Sequence, residues 1–182
     1  MDIEGVCNCK AFVSLLDHLC GCCLTVTDMV KALVLYHSQE YGNTGRMAEA
    51  VAEGLKGSGC EVVKFNTNDG RFDISTFPKF DCVAFGSPDY FSYIAGGLKT
   101  FMDDHYIQST VKRLDGYTGK PYALFYSHGG GGKVKSVMVE LFKRVGKQVG
   151  EPVASYGEPS QQVLKACREL GKQLGKTVTI KK

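Results

Sequence analysis

Three short stretches of this sequence combine side chains that could hold a phosphate and a flat ring. The first is His37-Ser38-Gln39-Glu40-Tyr41-Gly42-Asn43-Thr44-Gly45. It follows an apolar run and leads into a helical pattern. Its hydroxyls, amide and glycines therefore stand where orphan backbone N–H groups and a helix dipole attract an anion. The same residues also suit an ordinary helix start, with Asn43 or Thr44 as the cap. The second stretch, Gly86-Ser87-Pro88-Asp89-Tyr90-Phe91-Ser92-Tyr93, sets three aromatics within four residues. Such rings either stack on a planar ligand or pack down on a sheet edge. The third, Ser127-His128-Gly129-Gly130-Gly131-Gly132, carries four glycines in a row. That permits close approach of backbone to a ligand, or simply a flexible surface loop. It is not a Walker loop, because Val134 stands where Ser or Thr should follow Lys133, and Ser127 where the first glycine belongs. Nor is it the dinucleotide fingerprint, which belongs after a first strand.

Loops that act together need elements that bring them together. Apolar runs at Ala32–Tyr36, Val62–Phe65, Asp81–Gly86, Pro121–Tyr126 and Pro152–Tyr156 read as five strands, several apolar on both faces, as strands covered on both sides must be. Between them lie helical stripes: Met47, Val51 and Leu55; Leu98, Phe101 and Met102; Val134 through Val149; and Val163, Cys167, Leu170 and Leu174. The connection from Thr67 to Lys79 holds Gly70 and Pro78 and allows at most a short helix. Alternating strands and helices predict an α/β fold with a five-stranded parallel sheet of order 2-1-3-4-5. In that order the ligand crevice lies at the carboxyl ends of the first and third strands. All three loops follow strands at that end. A ligand with one phosphate and one broad planar ring fits the layout.

The segment from Leu33 to Leu55, with its Ser-x-x-x-Gly-Asn-Thr, resembles the phosphate loop of flavodoxins. Gly86 to Phe91 and on through Leu98–Asp103 is similar to the second flavin loop of flavodoxin-like NAD(P)H:quinone reductases, and Ser127–Gly132 to their glycine-rich third loop. The likeness runs from about residue 30 to 176. It implies a flavodoxin-like three-layer sandwich that binds FMN. Ser38, Gln39, Gly42, Asn43 and Thr44 would hold the phosphate, with Tyr41 also among the cofactor-binding residues. Ser87, Pro88, Asp89, Tyr90, Phe91 and Ser92 would flank the isoalloxazine, and Ser127, His128, Gly129, Gly130, Gly131 and Gly132 would border its other edge. NAD(P)H would be the co-substrate and a quinone, free flavin or redox partner protein the acceptor. His128 would donate to a quinone oxygen or pass a proton; alternatively it fills space at the strand end. Related reductases often associate, so a homo-oligomer belongs to the same expectation. This chain has one residue more than usual between Ser38 and Gly42, Glu40 should turn away from a phosphate, and Asp89 replaces a commonly neutral residue. Two rival readings are a flavodoxin-type carrier without small-molecule turnover and a flavin-free interaction module.

Bulk properties narrow the field. The 182 residues suit one domain, and no stretch approaches the ~18 apolar residues of a membrane span. Net charge is +3, but residues 1–28 hold four acids against one base, leaving +6 for the remainder. That is too mild for a nucleic-acid footprint, and too basic for a carrier that docks by acidity. Lys165, Arg168, Lys172 and Lys176 read as a solvated helix face. Cys60, Cys82 and Cys167 read as buried free thiols of a reducing, cytoplasmic compartment. Five more cysteines crowd into residues 1–28. Cys7-Asn8-Cys9 and Cys20-Gly21-Cys22-Cys23 have spacings that suit a metal. The preferred reading is a translation start set too early, ahead of Met29, with the domain spanning 29–182 and no metal ligand.

Overall fold

Ala32, Leu33, Val34 and Leu35 are fully buried, as a strand covered on both faces requires. In the computed structural model, which describes residues 29–179, they form β1 (Lys31–Tyr36). Residues 1–28, with their five cysteines and the expected domain boundary, lie outside the described residues. β2 (Glu61–Asn66), β3 (Cys82–Pro88) and β4 (Lys120–His128) follow as expected. All pair in parallel, in the order β2-β1-β3-β4. The Thr67–Lys79 connection holds only a 3-10 helix, Ile74–Lys79.

Alternation along β1 splits the core. Leu33 and Leu35 face a layer with α2 (Gly96–Tyr106) and α3 (Val134–Phe142). Ala32 and Val34 face the opposite layer, with α1 (Asn43–Lys56) and α4 (Gln161–Thr179). The result is the expected three-layer α/β sandwich. Among the described residues no helix is long and apolar enough to cross a membrane. Cys60, Cys82 and Cys167 are buried free thiols, and burial pushes the Cys82 and Cys167 thiols up to about 12.

The fifth strand departs from expectation. It is split into β5 (Gly146–Gln148) and β6 (Val153–Tyr156), both parallel to β4 at its two ends. The helical stripe expected to run to Val149 stops at Phe142. A Cβ on Gly146 would lie 2.1 Å from the Lys120 carbonyl oxygen, so glycine lets the chain close against β4 there. Val145 packs in the core from the turn rather than from a helix.

Two buried titratable groups lie away from the loop end of the sheet. Lys120 Nζ donates to Phe80 O at 2.5 Å and sits 5.2 Å from the Phe77 ring centre; burial lowers its pKa, with Asp81 opposing. His105 is 2% exposed, and its Nε2–H donates to Tyr117 O at 2.7 Å. Burial lowers the His105 pKa, the carbonyl bond opposing. With the folded value below the unfolded one, the unfolded chain takes up the proton first as pH falls below about 6.5. Stability is therefore full above that pH and is lost as pH falls toward the folded value. His105→Gln should flatten this slope, which is at most about 1.4 kcal/mol per pH unit. Denaturant titrations across this range check it, and an unchanged slope would assign the acid sensitivity elsewhere.

Candidate functional site

The chain leaves β1 at Tyr36 and enters α1 through Gly42, at φ +65°. Gly42 is the N-cap and has no side chain to offer, so neither Asn43 nor Thr44 caps the helix. Ser38 Oγ reaches across instead and accepts the Gly45 N–H at 3.0 Å. Asn66 holds Ser38 in turn, accepting its N–H at 2.9 Å and donating to its carbonyl at 3.0 Å. The N–H groups of Asn43 and Thr44 meet no protein acceptor among the described residues. This is the arrangement an anion needs. Glu40 is exposed, as is Tyr41, at 79%.

The second loop is tied to the first. Gln39 donates to Asn68 Oδ1 at 2.8 Å and accepts from the Tyr90 hydroxyl at 3.3 Å. Buried His37 bonds Thr67 Oγ1 at 3.0 Å and meets the Tyr90 ring edge-on at 6.1 Å. Tyr90 and Tyr93 exchange backbone hydrogen bonds of 3.1 and 3.0 Å around Phe91 and Ser92. Those two have φ of +54° and +64°, values a hairpin turn of this kind normally reserves for Asn and Gly. Left-handed backbone costs a residue with a Cβ about 1–2 kcal/mol. Phe91 stands fully exposed at the tip. Ser87 is buried; its Oγ accepts the Ala95 N–H at 3.1 Å and donates to Pro88 O at 2.7 Å, so it fixes the loop from below. Asp89 turns its carboxylate to the start of α3, accepting the Val134 N–H at 3.2 Å. A carboxylate is favoured there by the helix dipole.

The third loop closes the site. Ser127 Oγ and Thr44 Oγ1 share a buried hydrogen bond of 2.8 Å. His128 donates from Nδ1 to the carbonyl of Gly130. Its ring stacks on Tyr126 at 5.8 Å and meets Tyr156 edge-on at 5.6 Å. A Cβ on Gly132, at φ +62°, would come within 3.3 Å of His128 Nε2. Glycine thus lets the loop fold over the imidazole, whose Nδ1 is engaged within its own loop.

One cleft of about 490 Å³ joins these pieces, a volume usual for small-molecule sites. From the first loop it takes Ser38, Gln39, Tyr41, Gly42, Asn43 and Thr44, together with Glu40. From the second come Pro88, Asp89 and Tyr90, and from the third Ser127, His128 and Gly129. Ser87, Phe91, Ser92, Gly130, Gly131 and Gly132 do not line it. Three further residues do: Arg46, Gly157 and Glu158. Arg46 lies in the first turns of α1, donates to Tyr41 O at 3.0 Å and pairs with Glu158. Gly157 donates to His128 O at 2.8 Å. The signal for Gly157 and Glu158 was available: they follow the fifth strand, the sheet neighbour of the fourth. Among the described residues no cluster of three or more His, Cys, Asp or Glu could hold a metal.

A family model described as Flavodoxin matches residues 34–171. A protein named NAD(P)H dehydrogenase (quinone) from Archaeoglobus fulgidus is 28% identical over 187 residues, covering 80% of this chain and 96% of its own length. A flavodoxin from Aquifex aeolicus is 31% identical over 170 residues, covering 84% and 89%. Among solved structures, a flavodoxin from the domain Archaea superposes with a TM-score of 0.69 at 24% identity, covering 82% of this chain and 99% of that one. A flavodoxin, WrbA-like protein from Agrobacterium tumefaciens gives 0.69 at 21% identity, covering 84% and 99%. The structural likenesses establish the fold.

Proposed function

The chain belongs to the flavodoxin family, and from that premise we propose that it is an FMN-dependent oxidoreductase passing electrons from NADH or NADPH to a quinone or another small acceptor. The observation that carries the reading is the convergence of three loops on one cleft, with two open N–H groups at a helix start, a hydroxyl pair and an arginine beside aromatic rings. The Asn43 and Thr44 N–H groups, the Thr44 hydroxyl and Arg46 would hold the phosphate. Tyr90 and Tyr41 would flank the ring, with Pro88, Asp89, Ser127, His128 and Gly129 at its edges. Ser87 supports the second loop from beneath, and Gly130–Gly132 support His128. Bound FMN would supply the hydride and electron chemistry.

The protein's own contribution is positioning. The Tyr90–Gln39–Asn68 chain of hydrogen bonds keeps the aromatic loop against the phosphate loop. Asp89, engaged by α3, presents less free negative charge to the cleft than its position suggests. His128 holds its loop in shape through Gly130. The +6 charge of residues 29–182 suits an anionic dinucleotide. The buried free thiols Cys60, Cys82 and Cys167 suit a cytoplasmic setting.

The relative named flavodoxin keeps an electron carrier as the second reading. The test is anaerobic mixing of the FMN-loaded protein with each nicotinamide, then with a quinone panel. Loss of nicotinamide absorbance and its continuation once a quinone is added are the expected results. Indifference to both nicotinamides, with FMN bound, would establish the carrier. No uptake of FMN at all would refute both readings.

A further inference from the structure

We propose that the Arg46–Glu158 ion pair is a charge-exchange latch on the phosphate end of the cleft: Arg46 leaves Glu158 for a phosphate monoester, and Glu158 sets the affinity by competing for it. The inference rests on the FMN reading and deepens it, because it names what discriminates a phosphorylated flavin from an unphosphorylated one.

The two partners come from opposite sides of the cleft. Arg46 is four residues past the N-cap of α1, next to the free N–H groups of Asn43 and Thr44. Its Nη2 is anchored on Tyr41 O, which aims the other nitrogen across the opening. There it pairs with Glu158. Glu158 is stationed by Gly157, whose φ of +62° turns the chain and whose N–H is fixed on His128 O at 2.8 Å. Both residues line the cleft, and both side chains are well exposed, at 47% and 76%. An exposed pair is worth little, about 0–1 kcal/mol. A phosphate dianion at a helix start is a stronger partner for a guanidinium, since it also takes the backbone donors and binds bidentately. The exchange therefore runs toward the phosphate. Glu158, released, meets water at no structural cost.

The arrangement has a signature that simple repulsion between Glu158 and a phosphate lacks. If Glu158 acts by occupying Arg46, its effect must vanish when Arg46 is gone. If it acts only by repulsion, its effect must persist or grow.

FMN and riboflavin are titrated by flavin fluorescence into the full-length protein, Arg46→Ala, Glu158→Gln and the double variant. Glu158→Gln is expected to tighten FMN about threefold to fivefold, the equivalent of an exposed ion pair. Arg46→Ala should weaken FMN about tenfold or more, as for a charge-assisted bond. Riboflavin affinity should move with neither. In the double variant the gain from Glu158→Gln should fall toward onefold. An undiminished gain there, or riboflavin shifting as much as FMN, overturns the latch while leaving FMN binding standing. No FMN uptake by the unsubstituted protein overturns the cofactor reading and the latch with it. Thermal melts of the variants guard against misfolding, which exposed positions make a small concern.

Discussion

Gly171→Ala is expected to lower stability by about 2–3 kcal/mol, roughly 5–10 °C in Tm. On an isolated helix the same change would stabilise by nearly 1 kcal/mol, since glycine is the poorer helix former. The sign reverses because α4 lies directly on α1. A Cβ at Gly171 would stand 2.1 Å from the Val51 carbonyl oxygen and 3.1 Å from the Leu55 nitrogen. Gly54 answers from the other helix, its Cβ position 2.0 Å from Arg168 O. Gly175 extends the contact against Ser58 and Cys60. Backbone atoms cannot swing aside as a flexible side chain can, so the helices would have to separate. Separation would open the layer that holds Met47, Val51, Leu55, Cys167, Leu170 and Leu174. Gly96→Ala is the control: it stands at the start of α2 with nothing within 4 Å of its Cβ position, and should be neutral or slightly stabilising. Equal melting curves for Gly171→Ala and the unsubstituted protein would refute the close crossing. Because α1 begins at the first loop, a loosened α1 should also weaken ligand binding at the cleft.

That crossing is a tertiary fact, and it marks where the sequence stops being readable. Strands and helices follow from local period: the doubly apolar runs of β1, β3 and β4, and the Met47–Val51–Leu55 stripe of α1, need no partner to be recognised. Val145 and Val149 continue the α3 stripe in spacing, but the helix ends at Phe142 and Gly146 pairs with Lys120 in the sheet, a tertiary contact that local period does not reveal. The first loop could be read because orphan N–H groups belong to any helix start. Its cap could not, since Ser38 supplies it from outside the helix. In β3 every residue is buried, so alternation cannot tell that Ser87 turns under the second loop. The Phe91–Ser92 turn carries no Asn or Gly to announce it. Arg46 lies in an amphipathic helix, where an exposed arginine is unremarkable. Its place in the cleft depends on Tyr41 and on Glu158, 112 residues away.

Thr44→Val is expected to weaken FMN binding tenfold to a hundredfold while leaving riboflavin nearly unaffected. Thr44 is buried, and its Oγ1 shares one hydrogen bond with Ser127 Oγ. Two hydroxyls hold two protons, and their mutual bond uses one. The other is free to be donated into the cleft, beside the Thr44 N–H. A hydrogen bond to a charged oxygen contributes about 1.5–3 kcal/mol, which is that range of affinity. Valine keeps the shape and the β-branching, so no cavity forms and the helix start is preserved. Ser127→Ala separates the two hydroxyl roles. It removes the mutual bond but leaves Thr44 its own proton, so its effect on FMN should be the smaller of the two. Riboflavin carries the same ring without the phosphate, which makes it the internal reference for both variants. If Thr44→Val weakens riboflavin as much as FMN, the hydroxyl is holding the loop rather than the phosphate. If Ser127→Ala is the more damaging, the free proton points from Ser127, and the phosphate contact belongs to the third loop rather than to the start of α1.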